Sequence, residues 1–260
     1  MTFLSHFLVI LFVIYLQRKK LHYFELICKA YIKKDIPFNH SFEVISKYIS
    51  FSMAQDAVLK ELHEKERTFK HYSFGSFYPI EKERVYKKGN SYEFRLRSPN
   101  ESFIDTLSKT LRQNIDNPHF LIVEVSKKMV KQFFIAELYS VTPIIVTSAK
   151  GLFWTIDKDG DIMKLQTLLH NNLEKKYHTF YGEELKAGQN FIQFSQIKNQ
   201  KPQSIWTSKN GKSFRFFGNK FRIVPNEDEA SQKLAFLALS CGLGEKNSFG
   251  GGFCLAKGLE

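Results

Sequence analysis

The sequence predicts an α+β protein made of two consecutive ferredoxin-like domains, each with the order β-α-β-β-α-β. Three observations lead to this prediction. Segments of alternating apolar and polar residues, typical of strands, are separated by segments whose apolar residues have helical spacing. Capping signals stand at the starts of the helical segments. The same order of elements then recurs in the second half of the chain, although the residues themselves do not repeat.

Six elements are predicted in the first half: a strand, a helical segment in two pieces, two strands, a helix and a short strand. In that order they lie at residues 22–34, 39–65, 71–80, 84–97, 98–111 and 120–125. Two capping boxes support the helix starts. One is Ser52-Met-Ala-Gln55, and the other is Ser98-Pro99-Asn100-Glu101, which has proline at the first helical position.

The second half is predicted to contain two strands, a long helix, a strand, two hairpins, a last helix and a closing strand. The strands and helices lie at residues 132–140, 144–156, 161–177, 191–197, 226–241 and 253–256, and the hairpins turn around Asn210-Gly211 and Gly218-Asn219. These elements give three predicted parts: an N-terminal extension at 1–20, a first domain at 21–118 and a second domain at 119–260.

The composition indicates a folded, basic protein. The chain has 260 residues, of which 43% are hydrophobic and 15% aromatic, so it can bury a sizeable core. Lysine and arginine number 38 against 26 acidic residues, a formal net charge of +12, which favours nucleic acid or an anionic membrane as partner. The three cysteines are widely spaced, which indicates neither a disulfide framework nor a zinc site and fits a reducing cytoplasm.

An apolar segment near the N-terminus, residues 7–16, is followed by Arg18-Lys19-Lys20. The segment is too short to span a bilayer, which takes about 20 residues. A secretory signal would carry its positive charges before the apolar run. We therefore expect no membrane attachment, and a membrane-anchored protein is the alternative that this segment leaves open.

A glycine-rich segment lies between the last helix and the last strand. The sequence Gly242-Leu-Gly-Glu-Lys-Asn-Ser-Phe-Gly-Gly-Gly-Phe253 lets backbone N–H groups approach a phosphate closely, and Lys246 adds positive charge. It matches neither a Walker A loop nor a dinucleotide fingerprint. Taken alone, the segment is equally well read as a flexible connector.

With its context, this segment resembles the signature of the CRISPR repeat-processing endoribonucleases. The loop has that family's form G-x-G-x-x-x-x-x-G-x-G-[FY] just before the last strand. Leu62-His63 and Phe69-Lys-His-Tyr-Ser-Phe74 resemble a second family stretch, which enters the second strand. The resemblance covers about residues 22–257 and implies tandem ferredoxin-like domains. Residues 1–20 would then be an upstream extension, and a gene start placed too early, with the natural start at Leu21, is one explanation.

The resemblance implies a metal-independent ribonuclease without a cofactor, in which the RNA's own 2′-hydroxyl attacks the scissile phosphate. Such a reaction leaves a 2′,3′-cyclic phosphate and needs proton transfer and positive charge at the phosphorane. Carried over by position, the candidate catalytic residues are His63 for proton transfer, Tyr48 to orient or protonate, and Lys70 to stabilise negative charge. His40 and His71 remain rivals of His63, because the positions of catalytic residues vary in the family.

The predicted RNA-binding residues combine the loop with arginines that alternate along strands among aromatic residues. They are Gly242, Gly244, Lys246, Gly250, Gly251, Gly252, Arg95, Arg97, Arg215 and Arg222. The phenylalanines beside the last two arginines are more often core residues than RNA contacts when they lie in strands. An Asp157-Lys-Asp-Gly-Asp161 segment lacks the glycine and glutamate positions of a calcium loop, so no metal site is predicted.

The partner that the resemblance implies is CRISPR repeat RNA, with other CRISPR effector subunits as further partners. A non-cleaving RNA-binding subunit on the same fold is the alternative function. The glycine-rich segment is compatible with both functions, whereas a functional His63 distinguishes the nuclease from the binding subunit.

Overall fold

The structure is a computed structural model. It describes residues 20–65, 68–113, 117–148, 151–185, 188–209 and 212–258. The apolar N-terminal segment and its predicted status as an extension or anchor lie outside these residues. Among the helices of the described ranges, none is both long enough and apolar enough to span a bilayer.

The secondary structure of these residues comprises twelve strands and five helices. The strands are β1 His22–Ile32, β2 Ile36–Pro37, β3 Ser73–Phe74, β4 Val85–Tyr86, β5 Ser91–Ser98, β6 Phe120–Lys131, β7 Ile135–Ser140, β8 Ile192–Ile197, β9 Gln203–Lys209, β10 Lys212–Gly218, β11 Phe221–Pro225 and β12 Cys254–Gly258. The helices are α1 Phe38–Met53, α2 Ala57–Glu64, α3 Glu101–Arg112, α4 Ile162–Tyr181 and α5 Glu229–Cys241.

Two four-stranded sheets confirm the predicted pair of ferredoxin-like domains. The first sheet has the order β3-β5-β1-β6 and the second has the order β12-β7-β11-β8, so in each domain the first and third strands are central. The neighbouring strands are antiparallel in both sheets. A separate β9–β10 hairpin is inserted between the second and third strands of the C-terminal domain.

The boundary between the domains lies later than predicted. β6 pairs with β1 over its whole length, from Phe120 opposite Ile32 to Lys131 opposite His22. The sixth strand therefore completes the first sheet, and the chain passes to the second sheet between β6 and β7 rather than at residue 118. The prediction ended β6 too early because its second half is mostly exposed and polar, without the apolar run that marked its start.

Helix starts were predicted with mixed success. Asn100 caps α3, because its side chain accepts the N–H of Phe103, so the helix begins two residues later than predicted from the box, which placed Pro99 at the first helical position. The predicted box at Ser52 is wrong, since Ser52 is buried inside α1 and Asp56 caps α2 instead. Asp228, rather than Asn226, caps α5. In each case a polar residue in the right sequence context competed with another one nearby, and the backbone path decided between them.

The described residues of the strand predicted at 144–156, which are 144–148 and 151–156, do not form a strand. They make isolated bridges, Ile144 to Asn219, Ile145 to Glu245 and Thr147 to Phe153. Their apolar character arises because Ile144, Ile145 and Val146 are buried beneath the glycine-rich segment. Likewise the predicted strand at 71–80 is reduced to β3.

Each of the two hydrophobic cores contains residues from both halves of the chain. The N-terminal core lies around β1, β5, α1 and α3, and the C-terminal core around β7, α4 and α5. The β9–β10 hairpin belongs to the C-terminal domain by sequence, but its residues Ile205 and Phe216 pack in the N-terminal core. The hairpin thereby joins the domains and places the glycine-rich segment beside α1.

Candidate active site at the glycine-rich loop

A cavity of about 300 Å³ opens where the glycine-rich segment of the C-terminal domain meets the chain between α2 and β3 of the N-terminal domain. We call the segment Gly242–Gly252 the glycine-rich loop. The lining residues are Thr68, Phe69, Lys70, His71, Tyr72, Lys176, Cys241, Gly244, Glu245, Lys246, Asn247 and Ser248. The two stretches that carry the family resemblance therefore face each other across this cavity.

The glycines of the loop serve close packing within the protein. A Cβ on Gly252 would lie 1.9 Å from the carbonyl oxygen of Leu243, and one on Gly244 would lie 2.5 Å from that of Ile145. Both glycines also have positive φ, +65° and +66°, which disfavours a side chain independently of space. The glycine residues are buried, so the expectation that they approach a phosphate is corrected: they allow the loop to fold tightly upon itself.

Backbone hydrogen bonds already use several of the loop's N–H groups. Gly242, Gly250, Gly251 and Gly252 donate to carbonyl oxygens within the protein, at 2.9 to 3.1 Å. The outward part of the loop runs from Glu245 to Phe249, which is half-buried apart from the buried Asn247. Contact with a polyanion would therefore fall to this part, and above all to Lys246.

Lys176 on α4 fixes the loop from beneath. Its ammonium group is 2% exposed and donates to the carbonyl oxygens of Gly242 at 2.8 Å and Gly244 at 2.7 Å, and to Asn247 Oδ1 at 2.8 Å. The carbonyl oxygen of Cys241, the last residue of α5, lies at 3.5 Å. Burial lowers the pKa of Lys176 to about 8, so the group is mainly protonated at neutral pH.

Asn247 completes this arrangement. While its Oδ1 accepts from Lys176, its Nδ2 donates to the carbonyl oxygens of Leu243 at 3.2 Å and Gly251 at 2.9 Å. Neither residue was predicted as part of the site. A signal was present for Lys176, because it falls on the apolar stripe of α4 that includes Leu169 and Leu173, where a charged residue needs a buried partner.

His63 lies in the last turn of α2 and is exposed to solvent; it is not among the residues that line the cavity. Lys70 holds this end of the helix, because its ammonium group donates to the carbonyl oxygens of His63 at 3.1 Å, Lys65 at 2.5 Å and Leu62. Partial burial and then the neighbouring Lys65 lower the pKa of Lys70. The structure thus brings His63 and Lys70 together, with Lys70 on the cavity wall.

Tyr48 is not near this cavity wall. Its side chain is 2% exposed and its hydroxyl donates to the carbonyl oxygen of Leu111 at 2.7 Å, while the ring packs against Phe120. Burial raises the pKa of Tyr48 to about 12. These contacts make Tyr48 a core residue that joins α1 to α3, which corrects the expectation that it transfers a proton.

The two rival histidines have different surroundings. His71 lies inside the cavity with a positive φ of 49°, and its Nε2 is 3.3 Å from the hydroxyl of Thr179. Burial, and then the positive charge of Lys176, lowers the pKa of His71 to about 4. His40 lies elsewhere, on the first turn of α1, where its ring stacks on Trp206 at 5.5 Å.

The predicted arginines divide into one buried and three accessible residues. Arg97 is 4% exposed; it pairs with Glu25 at 2.5 Å and donates to the carbonyl oxygen of Cys254 at 2.7 Å. It therefore joins the two domains and is not an RNA contact, which corrects the prediction. Arg95 and Arg97 share one face of β5, as the alternation predicted, and both reach Glu25; the C-terminal domain covers this face at Arg97 and leaves Arg95 exposed.

The accessible arginines lie in three places. The side chain of Arg95 is 47% exposed. The guanidinium of Arg215 lies 3.5 Å from the ring centre of Trp206 on the exposed side of the β9–β10 hairpin. Arg222 forms a salt bridge with Glu137. Within the described ranges, no group of three His, Cys, Asp or Glu side chains is placed to hold a metal ion.

Comparisons with known proteins agree with the geometry. Residues 126–255 match the model of the family described as CRISPR associated protein Cas6, C-terminal. CRISPR-associated endoribonuclease Cas6 1 of Methanocaldococcus jannaschii is 30% identical over 233 residues, which cover 84% of this chain and 85% of that relative. The chain belongs to the Cas6 family. It is an endoribonuclease, as the names of its curated relatives state for them.

Further Cas6 proteins resemble it over nearly their whole length. CRISPR-associated endoribonuclease Cas6 2 of M. jannaschii is 29% identical over 231 residues, covering 82% of this chain and 92% of that relative. A solved structure described as CRISPR associated protein Cas6 has a TM-score of 0.64 at 20% identity and covers 90% of this chain and 99% of its own. The structural likeness supports the tandem ferredoxin-like fold.

Proposed function

We propose that this Cas6 protein cleaves the repeats of CRISPR precursor RNA without a metal ion and leaves a 2′,3′-cyclic phosphate. The observation that carries the proposal is that Lys70 connects the helix end bearing His63 with the cavity beneath the glycine-rich loop. The main chain that carries the exposed His63 is thereby fixed to the wall of a cavity that also contains Lys176 and Lys246, and RNA cleavage by an internal nucleophile requires a positioned proton-transfer group and positive charge.

In the proposed reaction, His63 takes the proton of the 2′-hydroxyl upstream of the cut. The 2′-oxygen then bonds to the adjacent phosphorus, the bond from phosphorus to the 5′-oxygen breaks, and that oxygen gains a proton. The products are a 2′,3′-cyclic phosphate and a 5′-hydroxyl. An unperturbed imidazole has a pKa of about 6.5, close to neutral pH, which suits it to proton transfer. His71 is less suited, because its lowered pKa of about 4 makes it a weak base.

The supporting residues have separate roles in this proposal. Lys70 is a positioning residue, since its donors are used by the carbonyl oxygens at the end of α2. Lys246 provides positive charge for the phosphorane, because its side chain is 36% exposed at the outward part of the loop. Arg95, Arg215 and Arg222 bind phosphates outside the cleft.

The test is cleavage of the host's repeat RNA in EDTA by wild type and by His63→Ala. We expect wild type to cut in EDTA and the variant to lose about 10²–10⁴-fold in single-turnover rate, as for removal of a general acid or base. A repeat with a 2′-deoxy nucleotide at the cut site should remain intact. The downstream product should accept a 5′-phosphate from a kinase without prior dephosphorylation, because it ends in a 5′-hydroxyl.

His22→Ala is the matched control, since His22 is an exposed histidine on β1 outside the cavity. It should cut at the wild-type rate. A His63→Ala protein that cuts normally, together with a His71→Ala protein that does not, would transfer the proton-transfer role to His71. Tight binding of the repeat without any cutting by wild type would refute the proposed cleavage of this RNA.

A further inference from the structure

A second cavity, of about 590 Å³, lies on the outer side of α1, away from the glycine-rich loop. The two sides of the helix carry different residues. Phe42 packs against Gly250, and Ser46 donates to the carbonyl oxygen of Ser248 at 2.9 Å, so this side holds the loop. On the other side, Val44 and Phe51 line the cavity. α1 therefore separates the candidate active site from a larger pocket.

The cavity has an apolar wall and a basic rim. Phe51, 56% exposed although aromatic, and the partly buried Val44 form the wall. Lys34, His40 and His119 approach from three different segments. A cavity of this volume accommodates a ligand with one aromatic ring system and a small charged group.

The two carboxylates that line this cavity, those of Glu43 and Asp35, already have hydrogen-bond or ion-pair partners within the protein. Glu43 pairs with Lys47 at 2.8 Å and accepts from Ser208 at 2.5 Å. Asp35 accepts the backbone N–H of Lys88 at 2.7 Å. Within the described part of the chain, Lys34 forms no salt bridge, so its ammonium group is available to an anion.

The floor of the cavity is well ordered by hydrogen bonds. The N–H groups of Lys33 and Lys34 donate to the carbonyl oxygen of His119 at 2.8 and 3.3 Å, and Lys33 Nζ donates to that of Asn117 at 2.8 Å. Asn117 Oδ1 in turn accepts the N–H of His119 at 2.9 Å. These bonds fix the main chain at Lys34 and His119, from which both side chains reach the cavity.

A stack of rings extends from the cavity onto the β9–β10 hairpin. The ring of His40 stacks on Trp206, with 5.5 Å between the ring centres and 26° between the planes, and Arg215 lies over the same indole at 3.5 Å. Basic side chains interleaved with planar rings are the features that bind single-stranded nucleic acid. The stack thus extends these features from the cavity onto the hairpin, whose Phe216 in turn contacts Phe249 of the glycine-rich loop.

We propose that this cavity binds one unpaired nucleotide of the substrate RNA, outside the cut site, with its base on Phe51 and its phosphate on Lys34. The proposal rests on the function proposed above, since it assumes that RNA is the substrate. It adds a second recognition point on the N-terminal domain, separated from the catalytic cleft by the width of α1.

The experiment measures the affinity of the host's repeat RNA, made uncleavable by a 2′-deoxy nucleotide, over a series of salt concentrations. Lys34→Ala should weaken binding and lower the slope of log affinity against log salt by about 0.7, the value for one phosphate contact on a single strand. Phe51→Ala should weaken binding about ten-fold without changing that slope, because stacking releases no counterions. Lys201→Ala is the matched control, since it removes an exposed lysine between β8 and β9, and it should match wild type.

The site of contact is tested with repeats that carry 4-thiouridine at single positions and are crosslinked by light. We expect one position away from the cut to crosslink to the peptide that contains Phe51. Wild-type affinity of both Lys34→Ala and Phe51→Ala would overturn the proposal. A second result would also overturn it: free nucleoside monophosphates bind in the cavity, but neither variant changes RNA affinity. The cavity would then be a site for small nucleotides and not for RNA. If wild type does not bind the repeat at all, the proposed function itself fails.

Discussion

Two lysines at the candidate site hold the ends of helices, and they do so in different surroundings. Lys176 lies beneath the glycine-rich loop, almost completely buried, and binds carbonyl oxygens just beyond the end of α5. Lys70 lies on the cavity wall, half-buried, and binds carbonyl oxygens at the end of α2, where His63 stands. Both use a positive charge where the helix dipole is negative.

Because their surroundings differ, we expect Lys176 to affect RNA binding and Lys70 to affect the rate of cutting. Lys176 and Asn247 together determine the shape of the loop from inside, so a change there should affect folding and RNA binding. Lys70 determines the orientation of one helix end, so a change there should affect the cutting rate more than binding. Buried hydrogen bonds to a charged donor contribute more than exposed ones, since water does not compete for them.

The largest effect is expected for Gly252→Ala, which tests whether internal packing determines the loop. The new Cβ would lie 1.9 Å from the Leu243 carbonyl oxygen, so the backbone has to move, and we expect a loss on the order of 4 kcal/mol in unfolding free energy or no folded protein. Gly182→Ala is the control. It has a similar φ of +71° but nothing within 4 Å of the Cβ, so about 1 kcal/mol is expected. Equal losses in urea unfolding would contradict this account of the loop.

The next effect is expected for Lys176→Met, which keeps the length of the side chain but removes its donors. The carbonyl oxygens of Gly242 and Gly244 then lose a buried partner, and about 2 kcal/mol of unfolding free energy should be lost. Affinity for uncleavable repeat RNA should fall about ten-fold, because the outward part of the loop loses its support. Lys175→Met, at the exposed neighbouring position, should change neither quantity. An unchanged RNA affinity of Lys176→Met would show that the loop does not depend on this lysine.

A smaller effect on stability is expected for Lys70→Met. The lysine is only half-buried, and a cap at a helix end contributes about 0.5–1 kcal/mol, so unfolding should change by no more than that. The single-turnover rate should fall about ten-fold, because His63 loses its fixed position, while RNA affinity stays within about two-fold. Lys60→Met, on the exposed side of the same helix, should cut normally. A loss of affinity equal to the loss of rate would instead make Lys70 a phosphate contact.

The sequence predicted the fold well because the determinants of the fold are local. The apolar periodicity of the strands and helices indicated both ferredoxin-like domains. The pairing of β9 with β10 agrees with the hairpin predicted around Asn210-Gly211, whose turn lies outside the described residues. The hairpin predicted around Gly218-Asn219 does not form, because β11 pairs with β7 and β8 and not with β10. The bridges made by the described residues within 144–156 were harder to predict, because these residues are apolar through contacts with distant parts of the chain. Sequence spacing does not reveal which partner buries such a segment.

The candidate site was predicted less completely. The loop and the segment around His63 were recognised from their residues, but the roles of Arg97 and Lys176 depend on burial between elements that are far apart in sequence. Arg97 and Arg95 alternate on one strand, and only the packing of the second domain decides which of them is buried. The glycines were interpreted as phosphate contacts, whereas the space around Gly252 assigns them to packing.

The smallest expected effect is a pH dependence of RNA affinity that comes from Lys176. Its pKa of about 8 means that the ammonium form, which donates to the loop carbonyls, is lost as the pH rises through that value. We therefore expect affinity for uncleavable repeat RNA to decrease several-fold between about pH 7 and pH 9, as the protonated fraction of Lys176 falls about ten-fold, from roughly nine-tenths to roughly one-tenth. The same titration does not unfold the protein. Because burial places the pKa of Lys176 in the folded protein below the usual lysine value of 10.5, deprotonation between these two pH values favours the folded state.

The Lys176→Met variant shows whether Lys176 causes this pH dependence, because methionine has no proton to lose at this position. Its RNA affinity should be low and nearly independent of pH in the same range, whereas Lys70→Met should keep the wild-type profile. Parallel profiles for wild type and Lys176→Met would assign the pH dependence to another group and would remove the distinction between the two lysines. A flat profile for Lys176→Met alone would show that the buried lysine, not the half-buried one, determines how the loop meets RNA.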